Sequence, residues 1–274
     1  MVSTEVIVTT YNNPKALHFA LLGLECQSTQ AFKVCVADDG SGNETQEVVS
    51  NWQHRFGNER FRHVWHPDNG FAKNEILNKA IATSTADYLI FIDGDCIAHP
   101  NFIVTHIKSR SKFKFLTGGV IRLPSTATLS INDEIIQSQQ IFSQEWLFQI
   151  KIKKSLSNLL KFHTSIIRFR QILNFISPVK RTWNGGNAST WRDFLVKVNG
   201  FDESLRYGAE DIELGFRLTN FGIKARHVRY TALLLHIDHT RDYANSEVAL
   251  NNKIISKINL NSNKIRTDNG IIKS

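Results

Sequence analysis

The sequence predicts an α/β protein with a mostly parallel sheet flanked by helices. Three observations support this prediction. Short apolar, β-branched runs recur along the first hundred residues, amphipathic stretches of about 10–15 residues separate them, and several runs end in polar or acidic residues. Strands that alternate with helices form parallel βαβ units, whose ligands bind at the carboxyl ends of the strands. We therefore expect a ligand site where these runs end.

The first hundred residues contain the clearest elements. Glu5–Thr10 is a continuous β-branched run, which is typical of a buried parallel strand. A helix should follow, because Asn12 or Asn13 can cap it and Pro14 fits its first turn. The alternation continues with strands within 32–41, 61–66 and 87–95, and with helices at 44–56 and 70–84.

The pattern changes after residue 100. A helix is predicted at 100–112 and a strand at 114–123, followed by two long amphipathic segments at 131–146 and 151–176, the second ended by Pro178. A helix at 209–222 with Gly222 as its cap and a strand at 229–239 follow. The last 25 or so residues predict a helix that frays into a tail.

Composition excludes several classes of protein. The chain has 274 residues, enough for a full core, and its 42% hydrophobic and 21% charged residues exclude a disordered or fibrous protein. No apolar stretch approaches the roughly 18 residues of a membrane-spanning helix, and the first residues do not resemble a secretory signal. Cys26, Cys35 and Cys96 lack metal-type spacing, so we expect reduced thiols in the cytoplasm.

The net charge of +8 belongs to one segment. Residues 146–182 contain eight basic residues and no acidic one, whereas the rest of the chain is formally neutral. Because apolar residues recur there at helical spacing, the segment predicts a basic amphipathic helix on an anionic membrane surface. Alternatively, the apolar stripe packs on the domain and the cations face solvent. Nucleic acid is not an expected partner, because no nucleic-acid-binding motif accompanies the charge.

The sharpest chemical signal is Asp93-Gly94-Asp95 at the end of an apolar strand. Two carboxylates one residue apart can hold one hard cation while ligand oxygens complete its shell, and Gly94 allows a close approach of the backbone. A solvated polar turn is the structural alternative. The Asp38-Asp39-Gly40-Ser41 sequence is similarly ambiguous, since it suits both nucleoside binding and an Asx turn.

Two further groups lie in the second half. Glu210, Asp211 and Glu213 fall in the first turn of a predicted helix, where acids either complement the helix dipole or supply a general base. Upstream, paired glycines beside Trp183 form either a tight turn or a wall against which a sugar packs. We assign Trp183 and Glu213 to the binding of an acceptor, the substrate to which such a sugar would be transferred.

Seven motifs occur in an order and spacing that resemble a family-2 glycosyltransferase of the GT-A fold. They are VIVTTYNN, VADDGSG, DNGFAKNEILNKAI, IFIDGDC, WNGGNASTWRDFLVKVNGFDE, GAEDIELGFRL and HIDHTRDY. The second half is also similar to the carboxyl-terminal part of β-1,4-galactosyltransferases and bacterial chondroitin polymerases. The resemblance covers roughly residues 4–122 and 183–245, and the segment 125–180 carries none.

The resemblance implies a set of donor-binding residues. Thr10 and Tyr11 would lie against a uracil ring, with Asp38 or Asp39 bonding its edge. Lys73 would approach the nucleotide, although the family usually has arginine at this position.

It also implies a metal site and a base. Asp93 would touch the ribose, and Asp95 would bind Mn²⁺ or Mg²⁺ together with His239, or with His236 instead. Asp211 would be the catalytic base. The remaining implied residues are Glu210, which would bind the donor or acceptor sugar, and Gly185 and Gly186, which would line the sugar pocket.

Together these residues predict an inverting, metal-dependent hexosyltransferase. It would move a sugar from a UDP-sugar to a hydroxyl of a glycan or lipid-linked acceptor. The family resemblance, not the chemistry of these residues, implies a setting in bacterial cell-surface polysaccharide or lipopolysaccharide synthesis. The expected organisation is one GT-A domain at 1–245, with a nucleotide-binding half (1–98), an acceptor half (99–245) that includes the basic helical segment 125–182, and a helix and tail at 246–274. The expected location is the cytoplasm, either free or at the inner face of the membrane.

Two other functions compete with this prediction. A sugar-phosphate nucleotidyltransferase shares the fold class and the paired aspartates, but it should begin with a glycine-rich loop, and the sequence TTYNNP is not one. Dinucleotide and Walker-type phosphate loops are also missing from the sequence. A non-catalytic nucleotide-sugar-binding subunit would keep the fold and lose the base, which the intact AED and DGD motifs argue against.

Overall fold

The computed structural model describes residues 2–152, 155, 158, 160–161, 167–238 and 246–273. In these residues the chain forms a seven-stranded sheet and a three-stranded sheet. The larger sheet has the order β3-β2-β1-β4-β8-β6-β9. Its strands are β1 (Thr4–Thr10), β2 (Lys33–Asp38), β3 (Phe61–Trp65), β4 (Tyr88–Asp93), β6 (Lys114–Thr117), β8 (Asn187–Trp191) and β9 (Lys224–His227).

Strands β1 to β4 are parallel, as the sequence predicts, whereas β8 runs antiparallel to β4 and β6. Side chains alternate between the two faces of this sheet: Val6 and Val8 of β1 join one apolar cluster, and Ile7 joins the other. Both faces are therefore buried, which explains why the strand sequences are continuously apolar.

Helices cover both faces. Helices α1 (Pro14–Glu25), α2 (Asn43–Phe56) and α4 (Phe102–Ser109) contribute to the first cluster. Helices α3 (Lys73–Thr83), α9 (Arg192–Lys197) and α10 (Glu210–Asn220) contribute to the second. Of the two candidate caps of α1, Asn13 is the one used, since its side chain accepts from the Ala16 amide at 3.2 Å.

The smaller sheet has the order β5-β10-β7, formed by β5 (Cys96–Ala98), β7 (Gly119–Arg122) and β10 (Leu233–His236). The single strand predicted at 114–123 is therefore wrong, because the chain changes sheets at Gly118. A side chain at Gly118 would lie 2.3 Å from the Asn187 amide, so only glycine fits this crossing.

The amphipathic segment predicted at 131–146 does not form one continuous helix. Polar caps divide the segment into short helices: α5 (Ser125–Thr128), α6 (Asp133–Gln137), a 3₁₀ turn (Gln140–Phe142) and α7 (Gln144–Gln149). Asn132 and Ser143 accept backbone hydrogen bonds that begin α6 and α7. Of the segment predicted to be helical at 151–176, the part 167–176 forms α8 (Ile167–Ile176), whereas Lys153, Lys154 and Phe162 lie outside the described residues.

The carboxyl terminus does not fray as predicted. Helix α11 (Ser246–Asn261) packs against α10, and the residues after it are fixed to the domain. The Asn199 side chain donates to the carbonyl groups of Thr267 and Ile272, each at 2.8 Å, and the Thr267 hydroxyl donates to Asp202 at 2.7 Å. These contacts could not be predicted from composition, because asparagine-rich stretches are usually solvated.

In the part of the chain described above, no helix combines the length and apolar character needed to cross a bilayer.

Candidate functional site

A cleft of about 690 Å³ opens at the carboxyl ends of β1, β2 and β4. Its wall includes Thr10 at the end of β1, Tyr11 just after it, Asp39 after β2, Asp93 at the end of β4 and Asp95 two residues later. The volume lies within the range of roughly 300–1,000 Å³ that is usual for small-molecule sites. Strand order therefore brings together motifs that are far apart in the sequence.

Asp93, Gly94 and Asp95 turn tightly over the end of β1. The Gly94 amide donates to the Thr9 carbonyl at 2.6 Å, and a Cβ on Gly94 would lie 2.7 Å from that oxygen. Ligand atoms of Asp93, Asp95 and Cys96 lie within 4.8 Å of one another. Burial raises the pKa of the Cys96 thiol well above its ordinary value, so the thiol stays protonated. The two carboxylates are therefore the candidate metal ligands of this group.

Lys73, at the start of α3, is the cation among these acids. Its Nζ lies 3.2 Å from Asp93 Oδ1. Burial alone would lower the pKa of Lys73, but the charges of Asp93, Asp211 and Glu210 outweigh burial and raise this pKa well above its ordinary value. The ammonium is therefore charged throughout the neutral range.

Glu210 and Asp211 begin α10 after a strained turn. Gly208 (φ +94°) and Ala209 (φ +66°) both adopt the left-handed region, which is uncommon for alanine. Burial and the neighbouring Asp211 raise the pKa of Glu210 to about 7. Burial also raises the pKa of Asp211, against the opposing effect of Lys73. Only Glu210 of this pair lines the cleft directly.

Gly185 and Gly186 bring the backbone onto two of the carboxylates. The Gly185 amide donates to Asp211 Oδ2 at 2.9 Å. A Cβ on Gly185 would lie 2.5 Å from Asp211 Oδ1, and one on Gly186 would lie 2.6 Å from Asp93 Oδ2. The paired glycines are thus required by the close approach to the acids, which is a sharper reason than the tight turn allowed by the sequence.

The two aspartates after β2 differ in their surroundings. Asp39 accepts from His66 at 2.7 Å and from the Ala72 amide at 3.1 Å, and it faces the cleft. Burial raises its pKa, partly offset by the bond from His66. Asp38 is fully buried, where it accepts from the Ser41 amide at 2.8 Å and contacts His63 at 3.1 Å. Asp38 therefore shapes the turn, and Asp39 is the one that a ligand can reach.

Trp183 and Glu213, which we assigned to acceptor binding, are both in the interior and do not line the cleft. Trp183 is 1% exposed and its ring packs against Phe91 and Phe115, with centroids 5.4 and 5.7 Å away. Glu213 is fully buried and forms a bidentate pair with Arg217, both contacts at 2.7 Å. We therefore correct both assignments to structural roles.

His236 lies at the end of β10, with Nε2 3.4 Å from Asp95 Oδ2, and it lines the cleft. His239, the first choice for a metal ligand, is outside the described residues. The sequence analysis missed several residues of the cleft, among them Arg122, Asn184 and Tyr207. Asn184 could have been suspected from its place beside the paired glycines, whereas Arg122 and Tyr207 had no local signal.

Two asparagines of α3 fix the loop that leads to α10. Asn74 donates to the carbonyl groups of Asp202 and Leu205, at 2.8 and 2.7 Å, and Asn78 donates to that of Phe201 at 2.9 Å. Since this loop runs on to Glu210, α3 positions both the cation Lys73 and the acids opposite it. Their spacing of four residues on one helix face was a signal that sequence reasoning did not use.

Comparisons with known proteins agree with this architecture. The model of the family described as glycosyl transferase family 2 matches residues 5–166, and so it extends into the segment where the sequence analysis found no resemblance. Hyaluronan synthase of Pasteurella multocida is 26% identical over 231 residues, which are 81% of this chain and 23% of that protein. The chain thus spans about a quarter of the length of this relative.

Solved structures show the same fold. The mannosyltransferase PcManGT from Pyrobaculum calidifontis, solved in complex with GDP-Man and Mn²⁺, has a TM-score of 0.58 and 15% identity, covering 88% of this chain and 58% of that one. A TarS fragment from S. aureus in complex with UDP has a TM-score of 0.60 and 14% identity, covering 94% and 65%. The prediction of a GT-A type α/β fold is confirmed.

Proposed function

The chain belongs to glycosyl transferase family 2, and we propose that it transfers a sugar from a UDP-sugar to a hydroxyl group, with inversion and with the help of a divalent cation. The charge of the cleft carries this proposal. Among the residues that the structure describes, four carboxylates line it (Asp39, Asp93, Asp95 and Glu210), against the two cations Lys73 and Arg122. A diphosphate would be repelled by this wall unless a further cation accompanied it.

The residues fit a hard divalent metal such as Mn²⁺ or Mg²⁺. Asp95 is the proposed protein ligand, Asp93 lies beside it for the ribose, and His236 is placed to assist, since its Nε2 is 3.4 Å from the Asp95 carboxylate. PcManGT was solved with Mn²⁺, which is consistent with a metal in this fold. When bound, the metal would stabilise the negative charge that develops on the leaving diphosphate.

The nucleoside would lie on the residues that follow β1 and β2. Tyr11 is half-exposed, and its hydroxyl donates to Asp68 at 3.0 Å, which fixes the ring at the cleft wall. Thr10 and Asp39 border the same space, so the aromatic face and the Asp39 carboxylate can receive a uracil ring and its N–H group. TarS was solved with UDP, which supports testing uridine nucleotides first.

Asp211 is the proposed base. Its Oδ2 accepts from the Gly185 amide, and its buried Oδ1 has no hydrogen-bond partner among the residues that the structure describes. Oδ1 is therefore the atom that would take the proton from the acceptor hydroxyl. The hydroxyl oxygen would attack the anomeric carbon, while the bond from that carbon to the diphosphate breaks and its electron pair leaves with UDP. The raised pKa of Asp211 makes it a stronger base at neutral pH.

The acceptor is proposed to be a glycan or lipid-linked hydroxyl at an anionic membrane. Helix α8 supports this proposal, because it exposes four apolar side chains and a basic one: Phe169, Ile172, Phe175, Ile176 and Arg168. Such a basic, apolar surface suits a bilayer interface. Lys161, one of the cations predicted to face the membrane, is buried, so that assignment is corrected. Burial, together with the charge of Arg229, lowers the pKa of Lys161 to about 7.

The test is a screen for release of the nucleoside diphosphate from UDP-sugars, with a GDP-sugar for comparison, in Mn²⁺ and in EDTA. We expect release from at least one UDP-sugar in Mn²⁺ only. Asp95→Ala should abolish it, and Asp211→Asn should lower kcat about 10²–10⁴-fold while UDP still binds. Asp193→Asn, an exposed acid on α9, is the matched control.

Failure to bind any nucleotide would refute the proposal, as would full activity of Asp95→Ala in EDTA. UDP binding without turnover would favour the non-catalytic subunit. A loss below tenfold in Asp211→Asn would move the base to Glu210.

A further inference from the structure

A second cavity, of about 620 Å³, lies at the β9 edge of the larger sheet, bordered by α4, α8, β6 and β9. We call it the edge cavity. It shares no lining residue with the cleft, and no step of the proposed transfer reaction uses it.

The wall of the edge cavity is strongly basic. Lys108, Lys114, Arg181 and Arg226 line it, and none of the described residues in its wall is acidic. Arg181 donates to the Phe175 carbonyl at 2.8 Å and Arg226 to the Ser109 carbonyl at 3.3 Å. These bonds orient the guanidinium groups without neutralising them. Within the described ranges, none of the four cations forms an ion pair.

A buried histidine adds a second observation. His227 is 5% exposed and lines the same wall. Its Nε2 lies 2.9 Å from the Val179 carbonyl, and because a carbonyl only accepts, Nε2 carries the proton. Its buried Nδ1 has no hydrogen-bond partner among the described residues. In this tautomer Nδ1 is an acceptor, and buried polar atoms are nearly always paired, so it indicates a hydroxyl donor in the cavity, such as a water molecule or a P–OH group.

We propose that the edge cavity binds a phosphate-bearing ligand. Guanidinium groups match phosphate oxygens in a bidentate way, and lysines add point charges to the same anion. Phe175 borders the cavity and is 80% exposed beside Ile172 and Ile176, so a ligand with both a phosphate and an apolar part would contact both surfaces. The phosphate can come from a soluble compound or from a lipid headgroup. This site does not depend on the proposed transfer reaction.

The experiment compares two charge-matched double variants of the full chain. Lys108→Gln/Lys114→Gln removes two cations from the edge cavity, and Lys33→Gln/Lys253→Gln removes two exposed lysines elsewhere. Binding of inorganic pyrophosphate is measured by calorimetry in EDTA, so that a metal in the cleft does not contribute. Co-sedimentation with phosphatidylglycerol and with phosphatidylcholine vesicles forms the second arm.

We expect the cavity variant to bind at least about tenfold more weakly than the wild type, and the control variant to be unchanged. Pyrophosphate binding with this pattern assigns a soluble phosphate compound. Binding only to phosphatidylglycerol vesicles, with the same dependence, assigns a lipid headgroup. No binding in either arm overturns the proposal, and so does equal weakening in both variants or undiminished binding by the cavity variant.

Discussion

Replacing Gly185 with alanine tests how Asp211, the proposed base, is positioned. The added Cβ would lie 2.5 Å from Asp211 Oδ1 and 2.8 Å from Oδ2, whereas ordinary contacts begin at 3.4 Å. The shortfall means that Asp211 must move by about 0.9 Å, the difference between 3.4 and 2.5 Å. Gly185 does not have a left-handed φ, so alanine meets a steric conflict with the carboxylate and no backbone strain.

A displacement of this size is catalytically large. Misplacing a reacting group by about 1 Å can cost on the order of 10²-fold in rate. Gly185→Ala should therefore lower kcat about 10²-fold and leave the KM of the nucleotide sugar near its wild-type value. In Gly186→Ala the added Cβ would lie 2.6 Å from Asp93 Oδ2, so this variant displaces Asp93 instead of Asp211. Because Asp93 is proposed to bind the donor, the main effect should be a higher KM for the donor.

The assay is UDP release at saturating and at limiting donor, with a thermal melt of each variant. Gly42→Ala is the control: its φ is −77° and the nearest atom to the added Cβ is 3.9 Å away, so its rates should stay within about twofold of the wild type. A folded Gly185→Ala variant with near-normal kcat would refute the reasoning, as would equal damage from Gly42→Ala.

Three further predictions concern stability. The pKa of Glu210 is raised to about 7 from 4.5, so the folded state holds this proton more tightly, and Glu210 destabilises the fold increasingly as pH rises from about 4.5 to 7. In metal-free buffer Glu210→Gln should thus melt several degrees above the wild type at pH 8 and at the same temperature at pH 4, and a constant difference would contradict this. Glu213→Gln should lower the free energy of unfolding by about 3–5 kcal/mol in urea melts, because it leaves the buried Arg217 cation without its counter-charge. The exposed Glu134→Gln should have little effect. Truncation after Asn261 should lower the melting temperature, because it removes the contacts of Asn199 and Asp202 with the carboxyl terminus. An unchanged melting temperature would contradict this and would favour the frayed tail predicted from the sequence.

The parts of the fold that sequence predicted are those set by local pattern. Strands β1, β2 and β4 are continuous β-branched runs, and α1 begins at its own capping asparagine. Asp93 and Asp95 were singled out because a parallel sheet places its strand ends at one edge, where two carboxylates one residue apart can hold a cation.

What sequence missed depends on contacts between distant segments. The change of sheet at Gly118 depends on Asn187, which is distant in sequence and packs directly against this glycine. The Asn187 side-chain amide donates to the carbonyl groups of Gly119 and Ala232, each at 3.0 Å. For Glu213 a local signal existed, because Arg217 lies four residues later on the same helix and can form an ion pair, which separates this acid from Glu210 and Asp211.

The arrangement of the acids explains why so much of the surrounding structure is rigid. Asp93, Glu210 and Asp211 lie around one ammonium group, and the raised pKa values of Glu210 and Asp211 show that crowding and burial already oppose their charges. Mutual repulsion would separate these side chains if their supports were flexible. Instead, Trp183 packs on Gly215 of α10, the asparagines of α3 hold the preceding loop, and Arg217 ties α10 to the Val198 and Gly200 carbonyl groups. The fold thus maintains a concentration of negative charge that a cation in the cleft would relieve. Under the proposed function, the same contacts that stabilise α10 would hold the cleft in the shape that a nucleotide and its metal ion need.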